Sequence, residues 1–217
     1  MIKKYFLATL TITFLVLYVV FIALAMLFYT GGTESNPMQT GYAFWENSLS
    51  DLGMITAYNG MSNTYSMALF TLGTTMFGLS FFVFNIGFPI MFQEQKLSKI
   101  LALIASIFGY FVAVGMIGVA FTPHTTLPIL HMISVYIAYI SLFFSTTLYA
   151  IAIFMNKSIR NAYGIISAVF AIIFFATLIM NLLGLSGASG ILEIGQKIGR
   201  GLTVITYIVI SIPMLKD

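Results

Sequence analysis

Few residues in this chain can do chemistry: two histidines, six acidic residues, nine basic residues and no cysteine. The densest polar stretch is 42–53, YAFWENSLSDLG, which holds the single tryptophan (Trp45) with Glu46, Asn47, Ser48, Ser50 and Asp51. Asp51, flanked by two serine hydroxyls, has the chemistry of an acid or of a ligand for a cationic headgroup or metal. The spacing Ser48-x-x-Asp51 is also that of a capping box, with Asp in the Glu position, which would order the loop instead. His131 and His124 add two imidazoles. With one carboxylate they could form a general acid–base set or bind a divalent metal. Each also has a structural role open to it: His131 pinning the loop to the bundle through Asp51 or a backbone carbonyl, and His124 as a turn residue. A third group follows in ILEIGQKIGRGL, where Glu193 and Lys197 stand four apart, as do Gln196 and Arg200. Glu193, Gln196 and Arg200 share one stripe of a helix. Arg200 suits an anion clamp on a lipid phosphate. The same spacing suits a ladder of paired charges, with Glu46 or Asp51 as further partners.

Other chemistries lack their residues. The absence of cysteine excludes disulfides, thiol catalysis and thiolate metal sites. No Gly-x-Ser-x-Gly, Walker or dinucleotide motif occurs. Two histidines near one short loop serve bis-histidine haem badly. No acidic ring or filter sequence marks a channel, and no repeat halves mark a transporter. We expect neither a cofactor nor a resident metal. The net charge of +3 is dispersed, without a basic patch interleaved with aromatics, so nucleic acid is not an expected partner.

These residues have to be positioned by a chain that is 60% hydrophobic and only 7% charged. A soluble domain carries about 25% charged residues. Long continuous apolar runs, without period-two alternation, point to membrane helices. Six runs reach the roughly 20 residues a span needs: 5–29, 64–92, 98–121, 127–155, 162–183 and 191–215. The expected fold is all-α, a single polytopic bundle of six helices occupying 1–217. With the N-terminus cytoplasmic, that side holds Lys3, Lys4, Lys96, Lys99, Lys157, Arg160 and Lys216, and the other only Lys197 and Arg200. This bias places both termini in the cytoplasm of a cell membrane and the polar stretch outside. The first run resembles a secretory signal with its cleavage site, but it is longer than the usual signal core, so an uncleaved span is expected.

Residues 33–63 form the longest connection, entered through the turn signal Tyr29-Thr30-Gly31-Gly32. Tyr42, Phe44 and Trp45 belong at headgroup level, and Gly53 is placed to end a short helix. Pro89 should kink the second span. Ala105-x-x-x-Gly109, Gly115-x-x-Gly118 and Gly195-x-x-x-Gly199 offer small faces for close packing. Asn85 and Asn181 are expected to bond across helices, and 184–190 reads as a flexible loop.

SLSDLG, ALFTLGTTMFG, FTP with LH in the next helix, and LEIGQKIGRGL together resemble the six-helix membrane proteins catalogued as domain of unknown function 998. That family is distantly similar to autophagy modulators and glycolipid-anchor-remodelling proteins. The resemblance covers nearly the whole chain and implies the six-span fold and an outward polar cluster, without an established reaction. An acidic residue often follows the loop proline in that family; here His124 stands there, so no carboxylate role carries over to that position.

Combined, these readings lead us to expect a membrane protein that binds a lipid headgroup in an outward pocket lined by Asp51, Ser48, His131, Glu193, Lys197 and Arg200. Two alternatives stand beside it: an accessory subunit among other membrane-protein subunits, and a lipid hydrolase or transferase using His131 and Asp51.

Overall fold

The computed structural model describes residues 2–182 and 191–215. Six long helices account for most of them: α1 (Ile2–Phe28), α2 (Thr64–Gly87), α3 (Lys96–Phe121), α4 (Pro128–Met155), α5 (Asn161–Leu182) and α6 (Ile191–Ser211). All six are long and apolar enough to cross a membrane. The chain therefore has the architecture of a multi-pass membrane protein. The loop 184–190 expected after α5 lies outside the described residues.

Consecutive helices are neighbours: α1 packs on α2, α2 on α3, α3 on α4, α4 on α5 and α5 on α6. The ring closes where α6, with the 3-10 turn that follows it, meets α1. Proline shapes two helix ends. Pro89 turns the end of the second span into a 3-10 turn, Phe88–Met91, and Pro213 does the same after α6 in Ile212–Leu215. Proline cannot supply the amide hydrogen that an α-helix would need at these points.

The half of the bundle opposite the 33–63 connection is filled by aromatic rings. Phe81, Phe84, Phe88, Phe92, Tyr149 and Tyr207 are all fully buried. Phe81 and Tyr207 stand 4.5 Å apart between centroids, and Phe88 and Tyr149 5.0 Å. The phenol groups need partners in this oil. Tyr149 donates to Asn85 Oδ1 at 2.7 Å, and Tyr207 lies 3.1 Å from the Thr146 hydroxyl. Asn85 of α2 thus bonds across to α4. The side chain of Asn181 lies outside the described residues.

Two of the small-residue faces work as close contacts. Gly115 and Gly118 let α3 approach the Ser134–Ala138 turn of α4. Gly109 makes room for the Asn85 carboxamide, which any Cβ there would strike. Gly195 faces open space, with no atom within 4 Å of where its Cβ would be. Gly109→Ala should therefore displace Asn85 from Tyr149 and lower stability by about 2 kcal/mol, the usual scale of overpacking. Gly195→Ala should leave it unchanged or slightly raised. Thermal unfolding of both variants in the same detergent checks this.

Candidate functional site

The site is built on the 33–63 connection, which folds as a cap over one end of the bundle. Its centre is Asn47, fully buried. Asn47 Oδ1 accepts from the Ala43 amide at 2.9 Å, and its Nδ2 donates to Gly32 O and to Asp51 Oδ2, both at 3.0 Å. Asp51, 5% exposed, takes two more bonds from Ser48: the amide to Oδ2 at 2.9 Å and the hydroxyl to Oδ1 at 2.7 Å. The Asp51 amide returns a bond to Ser48 Oγ at 3.2 Å. These reciprocal bonds are those of the capping box that the spacing offered, and the 3-10 turn Ser50–Gly53 follows, with Leu49 at its N-cap position. Gly53 ends that turn for a packing reason, since a Cβ there would fall 2.6 Å from the Phe70 ring.

Two further ties hold the cap down. Asn63, fully buried, donates to the carbonyls of Leu52 and Met54 at 3.1 Å, and Ser66 of α2 also reaches Leu52 O at 3.1 Å. Lys197 of α6 donates to Asn47 O at 2.5 Å and to its own Glu193 O at 3.1 Å, beneath the rings of Tyr42 and Phe44. Tyr42 donates to the carbonyls of Asn47 and Ser48 at 3.1 Å. Burial, reinforced by the Asp51 charge, pushes the pKa of Tyr29 up to about 12 and raises those of Tyr42 and Tyr58 as well. These phenols therefore remain donors at any physiological pH.

Under the cap, His131 occupies the first turn of α4 and is 4% exposed. Its Nδ1 lies 2.6 Å from the Thr122 carbonyl and its Nε2 lies 3.2 Å from Ser50 Oγ. A carbonyl only accepts, so Nδ1 carries the proton and Nε2 presents a lone pair to Ser50. His124 Nε2 stands 3.6 Å from Asp51 Oδ1, and the two imidazole rings are 5.8 Å apart. No hydrogen bond joins Asp51 to His131 among the described residues.

Two volumes meet at this point. A polar cleft of about 760 Å³ is lined by Glu34, Glu46, Ser48, Asp51, His124 and Glu193, among others. Four of the chain's six carboxylates line it, and no lysine or arginine does among the described residues. Glu193 Oε2 and His124 Nδ1 are buried there without a hydrogen-bond partner among the described residues. Below lies a mainly apolar cavity of about 190 Å³, walled by side chains such as Phe70, Val119, Val135 and Phe174 and by Gly195 and Gly199. Ser50, His131, Met132 and Gln196 line both volumes.

The structure thus brings Asp51, Ser48, His131 and Glu193 to one cleft, as the sequence suggested, and adds His124 and Ser50. Lys197 and Arg200 do not line it, although the Lys197 ammonium is close enough to act on the charges of Asp51 and Glu193. Lys197 bonds to backbone carbonyls and makes no side-chain ion pair with Glu193 among the described residues, so the paired-charge ladder, one of the two readings of this stripe, is not seen there. Arg200 lines the inner cavity, its guanidinium 5.0 Å from the Phe77 ring centre and 5.5 Å from that of Tyr139, with Nη1 directed at Met116 Sδ. Cation–π contacts with two rings replace a carboxylate as its compensation. No three His, Asp or Glu side chains among the described residues are grouped to share a metal ion. Comparison with family models, with curated proteins and with solved structures finds no match for the chain.

Asn47→Ala removes the donors to Gly32 and Asp51 at once and leaves a buried carboxylate oxygen short of a partner. A loss on the order of 3 kcal/mol is expected, read as a lowered melting temperature. Asn59→Ala, which releases the bond to Thr30 O and an exposed one from the Met61 amide at the cap's edge, should cost less, because water can replace the exposed bond.

Proposed function

We propose that the protein binds a membrane lipid whose headgroup carries an amine or quaternary ammonium. The observation that supports this reading is the cleft itself: among the described residues four carboxylates and no lysine or arginine line it, one carboxylate oxygen has no hydrogen-bond partner, and it is set above a mainly apolar cavity. Glu193 is half-buried, and its one enclosed oxygen without a partner among the described residues is a place where a cationic guest gains a bond. A concave acidic wall also concentrates cations before contact. Trp45, 65% exposed on the rim, offers its face to an ammonium. The apolar cavity next to Ser50 takes the start of an acyl chain; an apolar cavity of about 150 Å³ already admits benzene.

The charge asymmetry of the connections supports an orientation in a cell membrane with both termini in the cytoplasm and the cleft on the outer face. The chain has no native cysteine, so single introduced cysteines report topology cleanly. Ser35→Cys, on the cleft side, should react with an impermeant maleimide in intact cells, and Gln95→Cys, on the opposite connection, should react only after lysis. The reverse pattern would turn the cleft inward.

Lipid retention tests the ligand. Protein reconstituted with equal phosphatidylethanolamine and phosphatidylglycerol, then washed in mild detergent, should retain the amine lipid at least fivefold over the glycerol lipid. Glu193→Gln should bring the ratio close to one. Equal retention by the unaltered protein, or enrichment of the anionic lipid, contradicts the reading.

A further inference from the structure

We propose that Ser50 and His131 form a nucleophile–base pair that cleaves an acyl ester of the lipid held in the cleft, an inference that rests on the lipid-binding reading above. Three observations carry it. The first is the contact of 3.2 Å between Ser50 Oγ and His131 Nε2. The second is the bond of 2.6 Å from Nδ1 to the Thr122 carbonyl, which selects the tautomer whose Nε2 accepts a proton. A carboxylate performs this orienting task in the familiar serine triads, and it also stabilises the imidazolium that forms. Here a backbone carbonyl at the end of α3 takes that place, and Asp51 is occupied within the cap.

The third observation is position. Ser50 and His131 lie on the seam between the polar cleft and the apolar cavity. In a glycerolipid the ester carbonyl lies at the corresponding seam, between headgroup and acyl chain. A lipid with its amine among the carboxylates and its chain in the cavity therefore brings a carbonyl to Ser50. A plain structural tie between loop and helix could sit at any depth; it does not require a place on both volumes.

Ser50 Oγ attacks the carbonyl carbon, and His131 Nε2 takes the hydroxyl proton. The tetrahedral intermediate collapses, its bond to the glycerol oxygen breaks, and His131 returns the proton to that leaving oxygen. Water from the open cleft then attacks the acyl-serine by the same proton route, releasing the fatty acid and restoring Ser50. Gln196 also lines both volumes, and its side chain makes no hydrogen bond to any described residue. Its carboxamide is the available donor for the developing oxyanion.

The experiment treats the reconstituted full chain with an alkyl fluorophosphonate and follows fatty-acid release from phosphatidylethanolamine vesicles. The unaltered protein should take one label, mapped by mass spectrometry to Ser50, as fluoride leaves. Ser50→Ala should lose labelling and release while still retaining the uncleaved amine lipid. His131→Gln, with its melting temperature checked, should slow both by at least a hundredfold, as loss of a general base does. Retained amine lipid with neither label nor fatty-acid release from the unaltered protein overturns the pair and leaves the binding reading standing. Labelling at Ser50 with release from vesicles, but without preference for the amine lipid, overturns the binding reading and leaves the pair. Labelling at full rate in His131→Gln overturns the role of His131 as base.

Discussion

A carboxylate buried at the end of a membrane bundle must be satisfied by fixed donors, and the cap of this protein is organised around meeting that demand at Asp51. Its oxygens accept from the Asn47 carboxamide and from the Ser48 amide and hydroxyl. The same Asn47 reaches the carbonyl of Gly32, and Asn63 and Ser66 bind the carbonyls that follow Asp51. A connection of some thirty residues is thereby held as a rigid element. An exposed loop of this composition would gain little from any one of these bonds; buried, each unmade bond costs its full desolvation.

The rigid cap gives the histidine its surroundings. His131 lies at the start of α4, where a helix terminus opens onto the connection, and the Ser50–Gly53 turn directs Ser50 onto its free nitrogen. Lys197 closes the arrangement from α6 by binding Asn47 O. The cationic groups of α6 are thus used on the protein itself, one on the cap and one among aromatic rings. The cleft is left with carboxylates and imidazoles. This division of charge, more than the presence of charge, directs the ligand reading toward an amine.

Much of the fold was legible in the sequence because its causes are local. Run length and hydropathy placed six spans within a few residues of the helices found, and Ser48-x-x-Asp51 announced its capping box. Asn85 was expected to bond across helices because a buried amide in oil has few other options. The site was legible only in part. Asp51, His131 and Glu193 were expected at one end of the bundle, and they line one cleft. The side to which Lys197 and Arg200 turn depends on which helix meets α6, and helical spacing alone does not contain that information. In the sequence Ser50 reads only as a hydroxyl flanking Asp51, because its contact is with His131, 81 positions away. Gly195 and Gly199 had the spacing of a packing face, yet they border a cavity; the motif describes a shape that either a helix or a lipid chain can fill.

The account depends on the cap, the fourth helix and the sixth helix enclosing two joined volumes around Ser50 and His131. A density map of the protein in lipid nanodiscs containing phosphatidylethanolamine addresses this most directly. The expected result is one elongated density, its polar end beside Glu193 and Asp51, passing Ser50 into the apolar cavity. A map with the cap lifted from the fourth helix, or with only water in the cleft and an empty cavity, would contradict it.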